Sequence, residues 1–162
     1  ILDCTSQNLK YKENRFFIIR DPKAILMLEL RNDSPDVLQQ QVDQLLITLE
    51  TSGLSYALPV LKDEQIEMAL ELRKAGLGLL GNMIGDRKAV ACIEDTAVAL
   101  PDLAAYIKEF SAIMDAYGPE AVYYAHAGAG ALHLRPILNL KKNEDGVLFS
   151  KINEEVVKLV KK

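Results

Sequence analysis

The stretch Ala121-Val-Tyr-Tyr-Ala-His-Ala-Gly-Ala-Gly-Ala-Leu-His-Leu-Arg-Pro136 constrains the fold more than any other part of the chain. An apolar run enters a glycine turn and leaves it again, and the two histidines of the whole sequence flank that turn. Gly128 and Gly130 rule out a stable helix, and the β-rich residues around them predict strand, turn, strand. A two-residue turn at Ala129-Gly130 would set His126 opposite His133 and Tyr124 opposite Arg135. Opposed residues of an antiparallel pair have Cβ atoms about 4.5–5.5 Å apart, near enough for two imidazoles to share one metal ion. Alternation along each strand gives Tyr124, His126, His133 and Arg135 one face, and Tyr123, Ala125, Leu132 and Leu134 the other. Ala-Gly is not a favoured two-residue hairpin turn, and a longer glycine loop would loosen the pair. The residues alone leave three readings open: a metal or active site whose further ligands come from elsewhere, two histidines that merely pair across strands, and an ordinary solvated sheet face.

The 162 residues suit one domain, and with 49% hydrophobic and 26% charged residues the composition is that of a folded globular protein. A net charge of −4 without a long Lys/Arg cluster excludes the electrostatic footprint of a nucleic-acid binder. Cys4 and Cys92 have no metal-ligand spacing and are too few for a disulfide framework, so they read as packing residues of a protein in a reducing, cytoplasmic setting. No apolar run is long enough for a membrane span, and the first residues lack the pattern of a signal peptide. A start at Ile1 without Met and an end on a helical Lys161-Lys162 lead us to expect a piece of a longer protein.

In chain order, residues 1–23 read as a lead-in segment and 24–162 as the domain proper. Residues 24–30 form an apolar run of strand length. Ser34-Pro35-Asp36 then has the form of a helix start, with Leu38, Val42, Leu45, Leu46 and Leu49 as its stripe and Gly53 as its stop. Residues 54–61 return as a strand, with Pro59 marking an edge or bulge. A second helix opens at Asp63-Glu64, and Arg73 falls on its apolar stripe. An Arg there either snorkels at the helix edge or has a functional partner. Residues 76–88 are expected to be a helix end and a loop, since their glycines match no phosphate-binding pattern. Strand 89–95, a helix from Pro101-Asp102 with a stripe through Leu103, Tyr106, Ile107, Phe110, Ile113, Met114 and Tyr117, and strand 121–127 repeat the pattern of 24–61. Two such βαβ units predict an α+β fold, a ferredoxin-like antiparallel sheet with helices packed on one face. Residues 138–146 read as a polar loop before a last helix with Ile152, Val156, Leu159 and Val160 inward.

His-Ala-Gly-Ala-Gly-Ala-Leu-His resembles the His-x-Gly-Asp-Gly-Asn-x-His signature in the C-terminal, or cap, domain of FAD-linked oxidases, a family that includes glycolate oxidase and the D-lactate and D-2-hydroxyglutarate dehydrogenases. Ala129 and Ala131 stand where the signature has Asp and Asn, a version that resembles the subgroup fused to an iron–sulfur module. The resemblance implies that His126 and His133 bind a divalent metal beside the flavin, zinc being one candidate, with a third ligand from a Gly-Glu-His-Gly motif that this sequence does not contain. Glu71-Leu-Arg-Lys74 resembles the segment whose Arg binds the substrate carboxylate, which gives Arg73 that role. A substrate-binding Lys of the D-2-hydroxyglutarate type is missing near Ile93.

The resulting expectation is the substrate side of an FAD-dependent oxidoreductase acting on a 2-hydroxy acid of the D-lactate, glycolate or 2-hydroxyglutarate type. Arg73, Arg135 and Tyr124 would contact substrate, and His126 and His133 the metal. No catalytic residue is assigned, FAD would be bound mainly by another domain, and an iron–sulfur cluster would belong to the same parent chain. Two rivals are a ferredoxin-like module that binds a small regulatory ligand, and a metal-dependent hydrolase that would need Glu94 or Asp95 as ligand or base.

Overall fold

The structure, a computed structural model, describes residues 2–6 and 8–161, without the side chain of Asp3. The expected outer boundaries at Ile1 and Lys162 lie outside the described residues. Five α-helices and four strands occur among the described residues: α1 Leu2–Ser6, α2 Pro35–Ser52, α3 Glu64–Leu79, β1 Lys88–Ala89, β2 Ile93–Ala97, α4 Leu103–Tyr117, β3 Ala121–His126, β4 Ala131–Leu138 and α5 Asn143–Val160. Residues 9–72 form one unit, and residues 73–161, with the described part of the first eight, form another.

The larger unit is built on β4. Leu134 pairs with Ile93 on one side and with Tyr123 on the other, so β2 and β3 flank β4. β1 continues the β2 side, with Lys88 opposite Leu138. Every pairing is antiparallel to β4, so β2 and β3 run parallel to each other and α4 joins them in a split β-α-β arrangement. Strict alternation along β4 buries Leu132, Leu134 and Leu138. Against them pack Tyr106, Phe110 and Met114 of α4, three residues at four-residue spacing, together with Ile152, Val156 and Leu159 of α5. Each fully buried Leu or Phe contributes about 1.5–3 kcal/mol relative to exposure. The Tyr106 hydroxyl does not waste this burial, because it donates to Thr96 Oγ1 at 3.1 Å. Helices thus cover one face of the sheet and leave the other face to Ala131, His133, Arg135 and Ile137.

The unit 9–72 is organised differently. Its buried cluster is Phe17, Ala69 and Leu72, with Tyr11, Ile18 and Leu61 against it. Asn14 ties the segment to α3 by donating to the Met68 carbonyl and to Glu71 Oε2 at 3.0 and 3.2 Å. α2 begins and ends as its sequence dictates: Ser34 is the extended N-cap, Pro35 is the first helical residue, and Gly53 closes the helix in the left-handed region. Its stripe of Leu38, Val42, Leu45, Leu46 and Leu49 is the less exposed side, yet no residue of α2 is buried.

The ferredoxin-like expectation is therefore met only in part. Among the described residues neither 24–30 nor 54–61 enters a ladder, so the first βαβ unit has its helix but not its strands. An apolar run becomes a strand only where a neighbour takes its backbone hydrogen bonds, and the unit 9–72 offers none. Two boundaries also move. The expected strand 89–95 is broken into β1 and β2, with Cys92 N–H turned back onto the Val90 carbonyl. α5 starts at Asn143, inside the expected loop, because Glu144 and Asp145 suit a helix N-terminus and Asp145 accepts the Asn139 N–H at 2.6 Å.

Candidate functional site

The uncovered face of the sheet carries the residues singled out in the sequence. Tyr124 pairs with His133 and His126 with Ala131, so the hairpin register differs by two residues from the one expected. His126 does not stand opposite His133, and Arg135 faces Val122 rather than Tyr124. The cause is the turn. Residues 127–130 form a four-residue loop in which the Gly130 N–H bonds the Ala127 carbonyl at 3.1 Å and Gly130 takes φ +67°. A Cβ on Gly130 would also lie 2.1 Å from the Val98 carbonyl oxygen, so this position needs glycine on two counts. A slip of two residues keeps every side chain on its face, whereas a slip of one would have reversed them all.

The three rings accordingly still gather. His126 and His133 are 5.7 Å apart between ring centres, and Tyr124 is 6.3 Å from His126 and 5.8 Å from His133. Tyr123 takes the other face, edge-on to Phe110. Arg73, in the C-terminal half of α3, lies over the Tyr124 ring, 4.5 Å from its centre, and donates through Nη2 to the Ala125 carbonyl at 3.1 Å. Among the described residues no carboxylate forms an ion pair with Arg73.

Arg135 is held differently, by a residue that the sequence marked as a ligand or base for the hydrolase reading. Glu94 Oε1 accepts from Arg135 Nε at 2.6 Å while Glu94 Oε2 lies 2.7 Å from His133 Nδ1. Burial would push the Glu94 carboxyl up, but the hydrogen bonds and charges of Arg135 and His133 outweigh it and hold it below the ordinary carboxylate value. Asp95, exposed, stands 3.6 Å from His133 Nδ1, beyond hydrogen-bond reach. Two adjacent acids in an otherwise apolar strand were the one signal of this arrangement in the sequence.

Residues 1–162 match the family model described as FAD linked oxidases, C-terminal domain. The chain belongs to that family. Three similar proteins bear the name D-2-hydroxyglutarate dehydrogenase: one from Pantoea ananatis, 34% identical over 139 residues, one from Haemophilus influenzae, 42% identical over 94, and one from Escherichia coli, 38% identical over 97. These matches take in 82%, 58% and 60% of this chain but only 14%, 9% and 10% of the relatives' own length. No solved structure matches. Among the described residues no helix is long and apolar enough to cross a membrane.

The family implies FAD, and the resemblance in the histidine motif is what would add a metal. Two imidazoles on one tetrahedral ion, with metal–nitrogen distances of about 2.0–2.1 Å, have ring centres about 5 Å apart. The 5.7 Å between His126 and His133 suits such a pair after a small adjustment. Among the described residues no group of three His, Cys, Asp or Glu is disposed to hold a metal ion.

Proposed function

We propose that this chain forms the substrate side of an FAD-dependent dehydrogenase or oxidase acting on a 2-hydroxy acid, of the D-2-hydroxyglutarate, D-lactate or glycolate type. The observation that carries the reading is Arg73: a guanidinium stacked on Tyr124, bonded to one backbone carbonyl and, among the described residues, without an acid partner, on the same face as both histidines. A buried or half-buried cation without a counter-charge favours an anionic ligand, and a planar guanidinium suits a carboxylate. Arg135, with only Nε engaged by Glu94, keeps its terminal nitrogens for the same ligand. Tyr124 stands on the same face.

His126 and His133 would hold a divalent metal, zinc being one candidate, that polarises the substrate hydroxyl or carboxylate, with the remaining ligand supplied from outside these residues. FAD, bound mainly by another domain of the parent protein, would supply the oxidising chemistry. An iron–sulfur module in the same parent chain and a cytoplasmic location complete the reading, the first supported by the Ala-Gly-Ala-Leu-His-Leu-Arg-Pro form of the histidine motif and the second by free Cys4 and Cys92. No residue here is assigned the proton-abstracting role.

The test is anaerobic mixing of the FAD-loaded parent enzyme with D-2-hydroxyglutarate, D-lactate and glycolate in turn. Bleaching of the flavin by at least one of them is expected, while bleaching by none, with the flavin still reducible by dithionite, would contradict the reading.

A further inference from the structure

β2 carries an irregularity whose consequence lies at the histidine. Ile93 pairs with Leu134 and Thr96 with Leu132, so two residues of β2, Glu94 and Asp95, stand against the single residue His133 of β4. This is a β-bulge, and its second residue, Asp95, adopts φ +53°, a conformation uncommon for a residue with a side chain. Ile93 and Thr96 both remain on the core side, Ile93 in the buried cluster and Thr96 under the Tyr106 hydroxyl. The extra residue therefore brings two carboxylates to the open face at one register position, and only Glu94 comes within hydrogen-bond distance of His133.

We propose that Glu94 is a positioning residue that fixes His133 as the Nδ1–H tautomer and turns the free ends of His133 and Arg135 toward the same ligand space. A carboxylate only accepts, so the imidazole nitrogen 2.7 Å from it carries the proton, and the lone pair is left on Nε2. The other oxygen of Glu94 takes Nε–H of Arg135, which leaves both terminal nitrogens of that guanidinium without a hydrogen-bond partner among the described residues. One side chain thereby orients a metal- or proton-accepting nitrogen and an anion-binding fork, at the expense of the left-handed backbone at Asp95. The inference deepens the proposed role of this face, but it is read out in the chain without substrate, flavin or metal, so it can fail while that role stands.

The experiment is long-range proton–nitrogen correlation on the uniformly ¹⁵N-labelled chain, at a pH where the imidazoles are neutral. Wild type is expected to show His133 with its proton on Nδ1, the reverse of the form that free histidine favours, and a slowly exchanging Arg135 Nε–H signal. Glu94→Ala should lose both features, and Asp95→Gly, which suits the bulge backbone, should keep both. A His133 protonated on Nε2 in wild type, an Nδ1–H form that persists in Glu94→Ala, or its loss in Asp95→Gly would each overturn the assignment. The wild-type spectrum decides even if Glu94→Ala does not fold.

Discussion

Leu132 and Leu134 in β4 are 2% and 0% exposed, whereas Leu26 and Leu28, in an equally apolar run, are 66% and 51% exposed. β4 has strands on both sides and two helices against one face, while residues 24–30 have no ladder among the described residues. The same contrast holds for helices: α4 buries three residues of its stripe and α2 none. Apolar content is thus common to both units, and what separates them is whether neighbouring backbone and side chains close around it. The candidate face belongs to the unit where they do, and its geometry depends on that packing, because β4 carries the core leucines and the open-face His133 and Arg135 alternately on one strand.

The widest expected gap between the two regions is in the cost of truncating a leucine. Leu134→Ala should lower unfolding free energy by about 2–5 kcal/mol, since it opens a cavity between sheet and helices. Leu46→Ala on half-exposed α2 should cost less than about 1 kcal/mol. Urea denaturation of both variants measures the difference, and equal costs would break the comparison.

Within the hairpin, Gly130→Ala should cost about 2–4 kcal/mol, from the clash with the Val98 carbonyl and the left-handed backbone. Gly128→Ala, with nothing within 4 Å of the added carbon, should stay within about 1 kcal/mol of wild type. Melting temperatures of the pair sharpen the claim that the four-residue loop, not glycine content, sets the register.

A smaller effect is expected in acid. The Glu94 carboxyl is held below its ordinary value in the folded state, so the unfolded chain takes up the proton first. Its contribution is fully present above the unfolded value of about pH 4 and is lost as pH falls through the lower folded value. Glu94→Gln should therefore flatten the fall in stability below about pH 4 relative to wild type, as read by denaturant titration at a series of pH values. An unchanged slope would show that Glu94 is not held ionised by its two partners.

The smallest effect should be at Ser34, whose hydroxyl accepts the Val37 N–H at a long 3.5 Å. Ser34→Ala should cost about 1 kcal/mol or less and be confined to α2. Hydrogen exchange checks this: faster exchange in β3 and β4 as well would mean that the two units unfold together.

Local signals were legible where a residue's own chemistry sufficed. Ser34-Pro35 and Gly53 bounded α2, the stripe of α4 gave its buried face, and alternation gave the two faces of the hairpin. The resemblance in the histidine motif led to the family that the full-length match bears out. Register was less legible, because Ala129-Gly130 and a four-residue loop both centre the glycines between the histidines, and the choice rests on how Gly130 meets Val98 at a distance in sequence. Strands 24–30 and 54–61 were over-read, since periodicity reports apolar content and not a partner. Glu94 was visible as an acid beside Asp95, but its role depends on a bulge that alternation alone does not encode.

The central claim, that the open face is built around a free guanidinium for a substrate carboxylate, is tested most directly by Arg73→Met in the FAD-loaded parent enzyme. Met keeps much of the stem's packing and removes the charged fork. A charged hydrogen bond is worth about 1.5–3 kcal/mol, so kcat/KM should fall at least about tenfold while the melting temperature changes by no more than a few degrees. A destabilised enzyme with unchanged kcat/KM would contradict it, and would make Arg73 a brace for the Ala125 carbonyl and the Tyr124 ring.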